Sequence, residues 1–270
     1  MNEDRIVTSY VVTDDSLKGF GHQSHVLAKI SDAEVLWVAI IAAMYFQNHH
    51  ERALFVLRRM GYLSKSLSVS RFNRRLHPLA EWLPGILMVL GSVFEGHEVF
   101  VADSLPVPVC KRVRASRCRK VRGRDYCGYC AAKDEKFFGW RLHLVCTPEG
   151  LPAAFELLPA AYHDLTPIHE LTVALPSGAR VFADKGYIDR KTAASILKDT
   201  GVRLIAKPRK NMRPLAWIDE YDLDHYRRRI ETINSQLESM GIERLHARTN
   251  TGFEIKVNAS LLALSFINLN

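Results

Sequence analysis

The sequence predicts an α/β protein: a helical N-terminal domain followed by a mixed sheet with helices on both faces. From residue 31 to about residue 95, apolar residues recur at helical spacing. From about residue 97, short apolar runs bounded by turn residues alternate with helix-like stretches. Three strands followed by alternating helices and strands suit one mixed five-stranded sheet. We therefore expect a helical domain over residues 1–95 and a second domain over residues 96–270.

The helical domain has the outline of a helix-turn-helix DNA-binding motif. Ser31 and Glu34 form a capping box, which predicts the start of a buried helix. Residues 51–60 predict a second helix, Gly61 breaks it, and Ser70 is placed to cap a third. Such an arrangement suits DNA binding, although basic residues on an outer helix face are about as often only solvated. The residues that we expect at DNA here are Arg71, Arg74 and Arg75.

The chain is basic, with a formal net charge of +8, which favours a polyanionic partner. Its basic residues are clustered in a predicted loop over residues 106–136, and a smaller cluster spans residues 207–213. No acid interrupts the first cluster between residues 111 and 124, so we expect it to contact phosphate rather than to be a solvated surface loop. Its members include Lys111, Arg112, Arg114, Arg117, Arg119 and Lys120.

Nothing in the sequence predicts a membrane or secreted protein. The longest apolar run, residues 35–46, is too short to span a bilayer, and the first residues lack the pattern of a signal peptide. The cysteine count is five, an odd number, which favours a reducing compartment. We therefore expect a cytoplasmic protein with no membrane partner.

A zinc site is the alternative use of the cysteines. Cys127 and Cys130 have the close spacing of zinc ligands, and Cys110 and Cys118 could complete four thiolates. The second pair is widely spaced, so free thiols are the favoured interpretation and zinc is not expected.

Three acidic residues form the candidate catalytic site. Two predicted strands, residues 99–103 and 181–184, each end in an aspartate, Asp103 and Asp184. Glu231 follows in a predicted helix, one turn after Arg227. Each acid has an ordinary alternative: a turn or cap aspartate for the first two, and an Arg–Glu surface pair for the third. Side by side, however, two carboxylates repel unless a cation offsets their charge, and Mg²⁺ prefers such oxygen ligands.

Six segments occur in an order that resembles a known family. They are residues 103–110 (DSLPVPVC), 128–130 (GYC), 138–143 (FGWRLH), 158–164 (LPAAYHD), 184–187 (DKGY) and 227–232 (RRRIET). In this order and spacing they resemble bacterial insertion-sequence transposases of the DDE type. The resemblance covers roughly residues 95–265. It implies a ribonuclease-H-like catalytic core, as in retroviral integrases, with Asp103, Asp184 and Glu231 as the acidic triad.

The resemblance implies a DNA transposase that cleaves the ends of an insertion sequence and joins the 3′-hydroxyl to target DNA. Two Mg²⁺ or Mn²⁺ ions per active site would serve this phosphoryl transfer. The implied partners are double-stranded DNA, namely terminal inverted repeats and target DNA, and a second copy of the chain in a homodimer. The implied location is the bacterial cytoplasm, at the nucleoid.

The resemblance also assigns residues around the triad. Arg227, Lys185 and Tyr187 are expected at DNA, and His143, His163, Asp164 and Asn234 are expected beside the site. Many relatives carry a tyrosine three residues before the helix arginine and a lysine seven after the glutamate, whereas these positions hold Asp224 and Glu238. Tyr226 or Arg228 could take over the phosphate contact. Two other classes stay open: a catalytically inactive DNA-binding descendant, and a ribonuclease-H-like nuclease without joining activity.

Overall fold

The computed structural model describes residues 1–65, 67–92 and 96–269. Two compact units are formed, Met1–Val93 together with Gln236–Asn270, and Phe94–Ser235. The first is helical and the second contains the sheet. The sequence assigned residues 236–270 to the sheet domain, whereas their contacts lie in the helical unit. The functional boundary near residue 95 stays a prediction, because compact units and functional domains need not coincide.

Apart from one helix and one strand that were not predicted, the helices and strands follow the predicted order. The helices are α1 (Glu3–Gly19), α2 (Asp32–Phe46), α3 (His50–Arg59), α4 (Val69–Leu76), α5 (Trp82–Ser92), α6 (Ile168–Val173), α7 (Arg190–Thr200), α8 (Trp217–Ser239) and α9 (Asn250–Asn268). The strands are β1 (Val99–Lys111), β2 (Cys127–Cys130), β3 (Glu135–Cys146), β4 (Pro152–Pro159), β5 (Arg180–Ala183) and β6 (Arg203–Ala206). None of the helices in the described part of the chain is long and apolar enough to cross a membrane.

The helical unit is built around α2, which is buried on nearly every side and packs against α1, α3 and α9. The predicted capping box of Ser31 and Glu34 is confirmed at its start. The predicted third helix is divided: α4 begins after Ser68, whose side chain accepts the Arg71 amide, and a short 3₁₀ turn separates α4 from α5.

Helix α1 was not predicted, because its buried face is largely polar. Ser9 and Thr13 are fully buried together with Ile6. Their hydroxyls donate to carbonyls one turn earlier, 2.9 Å for Ser9 to Ile6 and 2.7 Å for Thr13 to Ser9. Trp37 of α2 donates its indole N–H to the Ile6 carbonyl over 3.0 Å. Such a face is stabilised by hydrogen bonds, so it leaves no apolar period in the sequence.

The six strands form one mixed sheet, in the order β2-β3-β1-β5-β6 with β4 also paired to β3. Strand β1 lies antiparallel to β3 and parallel to β5, and β6 lies parallel to β5. This confirms the predicted ribonuclease-H-like mixed sheet with flanking helices. Helices α6 and α7 bury one face of it, around Phe100, Val181 and Ile196. Leu223 of α8 packs near Phe182, in a second apolar cluster.

The loop predicted over residues 106–136 is shorter in the structure, because strands occupy part of this segment. Strand β1 continues to Lys111, and β2 lies within the same segment, which raises the strand count from five to six. Pro106 and Pro108 had suggested a loop. Beyond Ala102, however, β1 pairs with β3 on one edge and no longer with β5 on the other, so prolines are tolerated there.

A buried asparagine offers a test of the helical unit. Asn48 has a φ of 63°, and its amide donates to the Met240 carbonyl over 3.1 Å and to Ser260 Oγ over 3.0 Å. Asn48→Ala should lower the free energy of unfolding in urea by about 2–4 kcal/mol, from lost bonds and left-handed strain. Asn48→Gly loses only the bonds, so it should cost about 1 kcal/mol less. Equal costs for the two variants would contradict this account.

Candidate active site

The parallel register of the sheet aligns the two aspartates. In the β1–β5 pair, Ala102 lies opposite Ala183 at the last paired position. Asp103 and Asp184 are therefore the next residues on adjacent strands, and both line one small pocket of about 110 Å³. Asp103 does not end a strand, although the sequence predicted that it would, because β1 continues to Lys111. It lies instead where β1 loses its pairing with β5.

Asp103 is held by two hydrogen bonds. Its Oδ1 accepts the backbone N–H of Ser104 over 2.8 Å, and its Oδ2 accepts Nδ2 of Asn234 over 2.7 Å. Burial of the carboxylate, with smaller contributions from Asp164 and Asp184, raises the pKa of Asp103 to about 6 despite these bonds. The site thus concentrates negative charge that a nearby cation would offset.

Asp164 extends this acidic region. Its Oδ1 accepts the hydroxyl of Ser104 over 2.6 Å, and Arg141 donates to the same Ser104 oxygen over 3.2 Å. The backbone at Gly186 lies so close that a Cβ there would come within 2.5 Å of Asp164 Oδ2. Any other residue at position 186, in the segment that directly follows Asp184, would therefore require the Asp164 carboxylate to move.

His143 lies behind this network. It is fully buried, neither ring nitrogen has a hydrogen-bond partner in the described structure, and its Nδ1 is 4.0 Å from Asp164 Oδ1. Burial lowers the pKa of His143 to about 4, so the ring is neutral at pH 7. His163 is exposed and lies one residue from Asp164.

Glu231 lines the same pocket but is turned towards solvent. Its side chain is 69% exposed, and its Oε1 lies 3.6 Å from Nε of Arg227, one turn earlier on α8. Accordingly, the described residues contain no group of three acids, histidines or cysteines close enough to hold one metal ion. The structure brings Asp103 and Asp184 together and leaves Glu231 at the rim of their pocket.

Lys207 is a site residue that sequence reasoning missed. Ala183 pairs with Ala206 in the β5–β6 register, so Lys207 is the residue opposite Asp184 on the next strand. It lines the acidic pocket, and its Nζ lies 3.6 Å from Asp224 Oδ1. The signal was available, because Lys207 directly follows the apolar run of residues 202–206, which the sequence predicts as the last strand.

The first basic cluster lines a larger cavity of the sheet unit, of about 810 Å³. Arg112–Arg117 form a 3₁₀ turn after β1, and none of the cavity's described lining residues is acidic. Lys111 lies 3.8 Å from Glu135, while most of the cluster is exposed. The arginines that line the cavity are Arg117, Arg119, Arg122 and Arg124.

Other predicted DNA contacts differ in how available they are. Lys185 is exposed, as are Arg71 and Arg74. Tyr187 is only 2% exposed, so it packs in the core, and its predicted contact with DNA does not fit this position. Arg75 donates to the Ile30 carbonyl over 2.7 Å and to Asp32 over 2.6 Å. A DNA contact by Arg75 would require these bonds to be given up.

Tyr226 and Arg228, the residues expected to take over the phosphate contact of the missing tyrosine and lysine, differ in exposure. Tyr226 stacks on Phe182, with ring centroids 5.5 Å apart, so it faces the sheet, whereas Arg228 is exposed.

The cysteines of the described chain form no disulfide. Cys110 and Cys127 both lie opposite Phe138, on either side of β3.

The sequence matches the family model described as "Transposase DDE domain" over residues 95–250. This match covers more than half of the 270 residues, and the chain belongs to this family. The DDE transposase resemblance is thereby confirmed. Transposases of this kind use divalent metal ions. Curated proteins gave no match.

Solved structures of Mos1 transposase complexes are also similar to the chain. A paired-end complex with the left transposon end is 13% identical and has a TM-score of 0.26, over 82% of this chain and 80% of that one. A pre-cleavage transpososome is 11% identical with a TM-score of 0.27, over 84% and 82%. Scores of this size are too low to establish a shared arrangement of residues.

The raised pKa of Asp103 predicts a pH-dependent gain in stability for Asp103→Asn. The folded protein binds this proton more tightly than the unfolded chain, so stability falls as pH rises from about 4 to 6. Without divalent ions, the variant should be more stable than the wild type by about 2 kcal/mol at pH 7.5 and little changed at pH 4. Urea denaturation with EDTA measures this. Asp125→Asn, at an exposed aspartate, serves as control, and equal gains for both variants would contradict the account.

Proposed function

We propose that the protein is an active DNA transposase that cleaves insertion-sequence ends and joins the 3′-hydroxyl to target DNA. The observation that carries the proposal is the register that places Asp103 beside Asp184, in a pocket whose rim holds Glu231. Membership of the DDE family supports metal-dependent phosphoryl transfer as the chemistry of this pocket. We further propose that the protein works in the bacterial cytoplasm, at the nucleoid, as a homodimer on two element ends.

The residues of the pocket fit Mg²⁺ or Mn²⁺. Their donors are carboxylate oxygens, which hard divalent cations prefer. Burial, with smaller contributions from Asp164 and Asp184, raises the pKa of Asp103 to about 6, so a bound cation would offset a charge that the site disfavours. Asp103 and Asp184 would hold the ions, and Glu231 would join them on leaving Arg227. Two bound ions supply charge stabilisation for the attacking and leaving oxygens of a phosphodiester.

The remaining roles belong to side chains around the acids. Asn234 fixes the orientation of Asp103 by donating to its Oδ2, and Ser104 links Asp164 to Arg141. Arg227 is exposed at the pocket, so once separated from Glu231 it can bind a DNA phosphate. Lys207 adds a second positive charge to the lining of the pocket. Together these groups would position a scissile phosphate against the acids.

DNA is held, in this proposal, by the basic cavity after β1. Arginine forks match phosphate geometry, and four of them line this cavity of about 810 Å³. The exposed Lys185, Arg71 and Arg74 would add contacts elsewhere on the duplex. The helix-turn-helix outline of the first domain is proposed to recognise the terminal repeats.

A DNA-binding protein without catalysis is the second candidate. The Glu231–Arg227 pair favours it, since a third acid so engaged leaves two aspartates for metal binding. Divalent-metal-dependent cleavage separates the two candidates, and joining of a 3′-end to a second duplex separates a transposase from a simple nuclease.

Removal of one pocket charge should abolish cleavage. Asp184→Asn and Glu231→Gln should each reduce Mg²⁺-dependent cleavage of a duplex carrying the DNA that flanks the reading frame by about 100-fold or more. Gel-shift affinity should stay within about 3-fold, because DNA is bound mainly by other residues. Glu220→Gln, at an exposed glutamate on the same helix, is the matched control and should cleave normally. Wild-type cleavage by Asp184→Asn would contradict the assignment.

The basic cavity should contribute through phosphate contacts. Replacement of Arg117, Arg119 and Arg122 by Gln should weaken DNA binding, and the slope of log affinity against log salt should fall by about 3. The control removes three exposed charges from α7 instead: Arg190, Lys191 and Lys198 to Gln. Equal losses in the two triple variants would show that only net charge matters and would contradict a specific contact.

A further inference from the structure

A second basic cavity lies within the helical unit. Its volume is about 630 Å³, which is in the range of small-ligand sites. Three helices begin at it: His50 is the first residue of α3, Val69 and Ser70 are the first two of α4, and Thr249 caps α9. Helix N-termini carry partial positive charge and unpaired amides, so their convergence favours an anion.

The side chains of this cavity reinforce that preference. Arg248, Lys256, His77 and His246 line it together with His50, and none of its described lining residues is acidic. Glu51 and Glu254 belong to the first turns of α3 and α9 but are exposed and do not line it.

His50 gives an independent sign of a ligand. The residue is 8% exposed, and its Nδ1 lies 3.0 Å from Asn73 Oδ1. Its other ring nitrogen, Nε2, is buried and has no hydrogen-bond partner in the described structure. Burial mainly lowers the pKa of His50 to about 4, and the positive charges of Lys256, His49 and His77 add to this effect. An anion in the cavity would relieve that field and could accept a hydrogen bond from the ring.

The backbone amides at the start of α4 and α9 are held by side-chain caps. In α4, Ser68 accepts the Arg71 amide, and in α9, Thr249 accepts the Gly252 amide over 3.0 Å. In α4 the cap thus satisfies the third amide and leaves the amides of Val69 and Ser70, which line the cavity, without an intrahelical partner. A side chain at Gly252 would reach to 3.5 Å from His77 Nε2 and narrow the cavity.

From these observations we propose that this cavity binds a phosphate group of DNA. The proposal rests on the proposed function for the identity of the ligand, because that function brings DNA to the chain. Amides at helix N-termini and a ring of cations are the usual surroundings of a protein-bound phosphate. The site lies outside the acidic pocket and the arginine cavity of the sheet unit, so it would hold DNA without taking part in cleavage.

Ser70 provides the sharpest test. An aspartate at this second position of α4 suits the helix dipole and should keep the fold, whereas its charge would repel a phosphate in the cavity. We expect Ser70→Asp to weaken binding of inorganic phosphate, measured by calorimetry, by about 10-fold or more, and to lower the salt slope of duplex binding by about 1. Ser70→Asn, the uncharged match, should stay within about 2-fold of the wild type.

Arg248 allows a second comparison at equal net charge. Arg248→Gln and Arg244→Gln each remove one charge from an exposed arginine of the helical unit, and only Arg248 lines the cavity. Arg248→Gln should weaken both phosphate and duplex binding by several-fold, while Arg244→Gln leaves phosphate binding unchanged. Thermal melting of all four variants checks that they fold.

The outcomes separate this proposal from the proposed function. Parallel losses of phosphate and duplex affinity support it. A loss of phosphate affinity with unchanged duplex affinity would identify free phosphate as the ligand and overturn the assignment to DNA. Cavity variants that match their controls in both assays would overturn the site, even if wild-type protein binds and cleaves DNA. If the wild-type chain binds no DNA, the proposed function fails and the assignment to DNA with it, and the phosphate assay alone decides whether the cavity is an anion site.

Discussion

The parallel pairing of β1, β5 and β6 is the constraint on which the candidate active site depends. Three adjacent strands in register carry Asp103, Asp184 and Lys207 to equivalent positions, directly after the last parallel-paired residues. Backbone hydrogen bonds fix this register, and a slip of one residue would turn each side chain to the opposite face. The repulsion between the two neighbouring carboxylates is therefore offset by the stability of the sheet, whose core around Phe100 and Val181 is buried.

Charge organises the rest of the chain around that site. The acids lie in a small pocket, Arg227 and Lys207 lie on its walls, and the arginine cavity after β1 lies in the same unit. The helical unit holds a further basic cavity where three helices begin. A chain with a net charge of +8 thus brings three of its acids to one small pocket, whereas no acid is among the described lining residues of its two basic cavities.

The sequence predicted those features whose physical cause is local. Ser31 and Glu34 satisfy each other's helix-start amides, so their spacing was enough to predict the start of α2. Apolar runs predicted the strands that carry Asp103 and Asp184, and the family segments predicted the fold class. Helix α1 was not predicted because its buried face carries hydroxyl groups, which resemble an exposed polar face in the sequence. The extension of β1 was not predicted because Pro106 is typical of a loop. The placement of Lys207 beside Asp184 depends on which strands pair, although its position directly after an apolar run was a usable signal. The contact between Glu231 and Arg227 is the Arg–Glu pair that the helical spacing offered as the alternative to a metal ligand.

Anomalous diffraction from crystals of the full chain soaked in Mn²⁺ tests directly whether Asp103 and Asp184 hold a divalent cation together. The account predicts an anomalous peak within coordination distance of carboxylate oxygens of both Asp103 and Asp184, with Glu231 released from Arg227 in crystals that also contain DNA. Crystals that show Mn²⁺ at other sites, or no peak between these two aspartates at saturating Mn²⁺ and neutral pH, would contradict it.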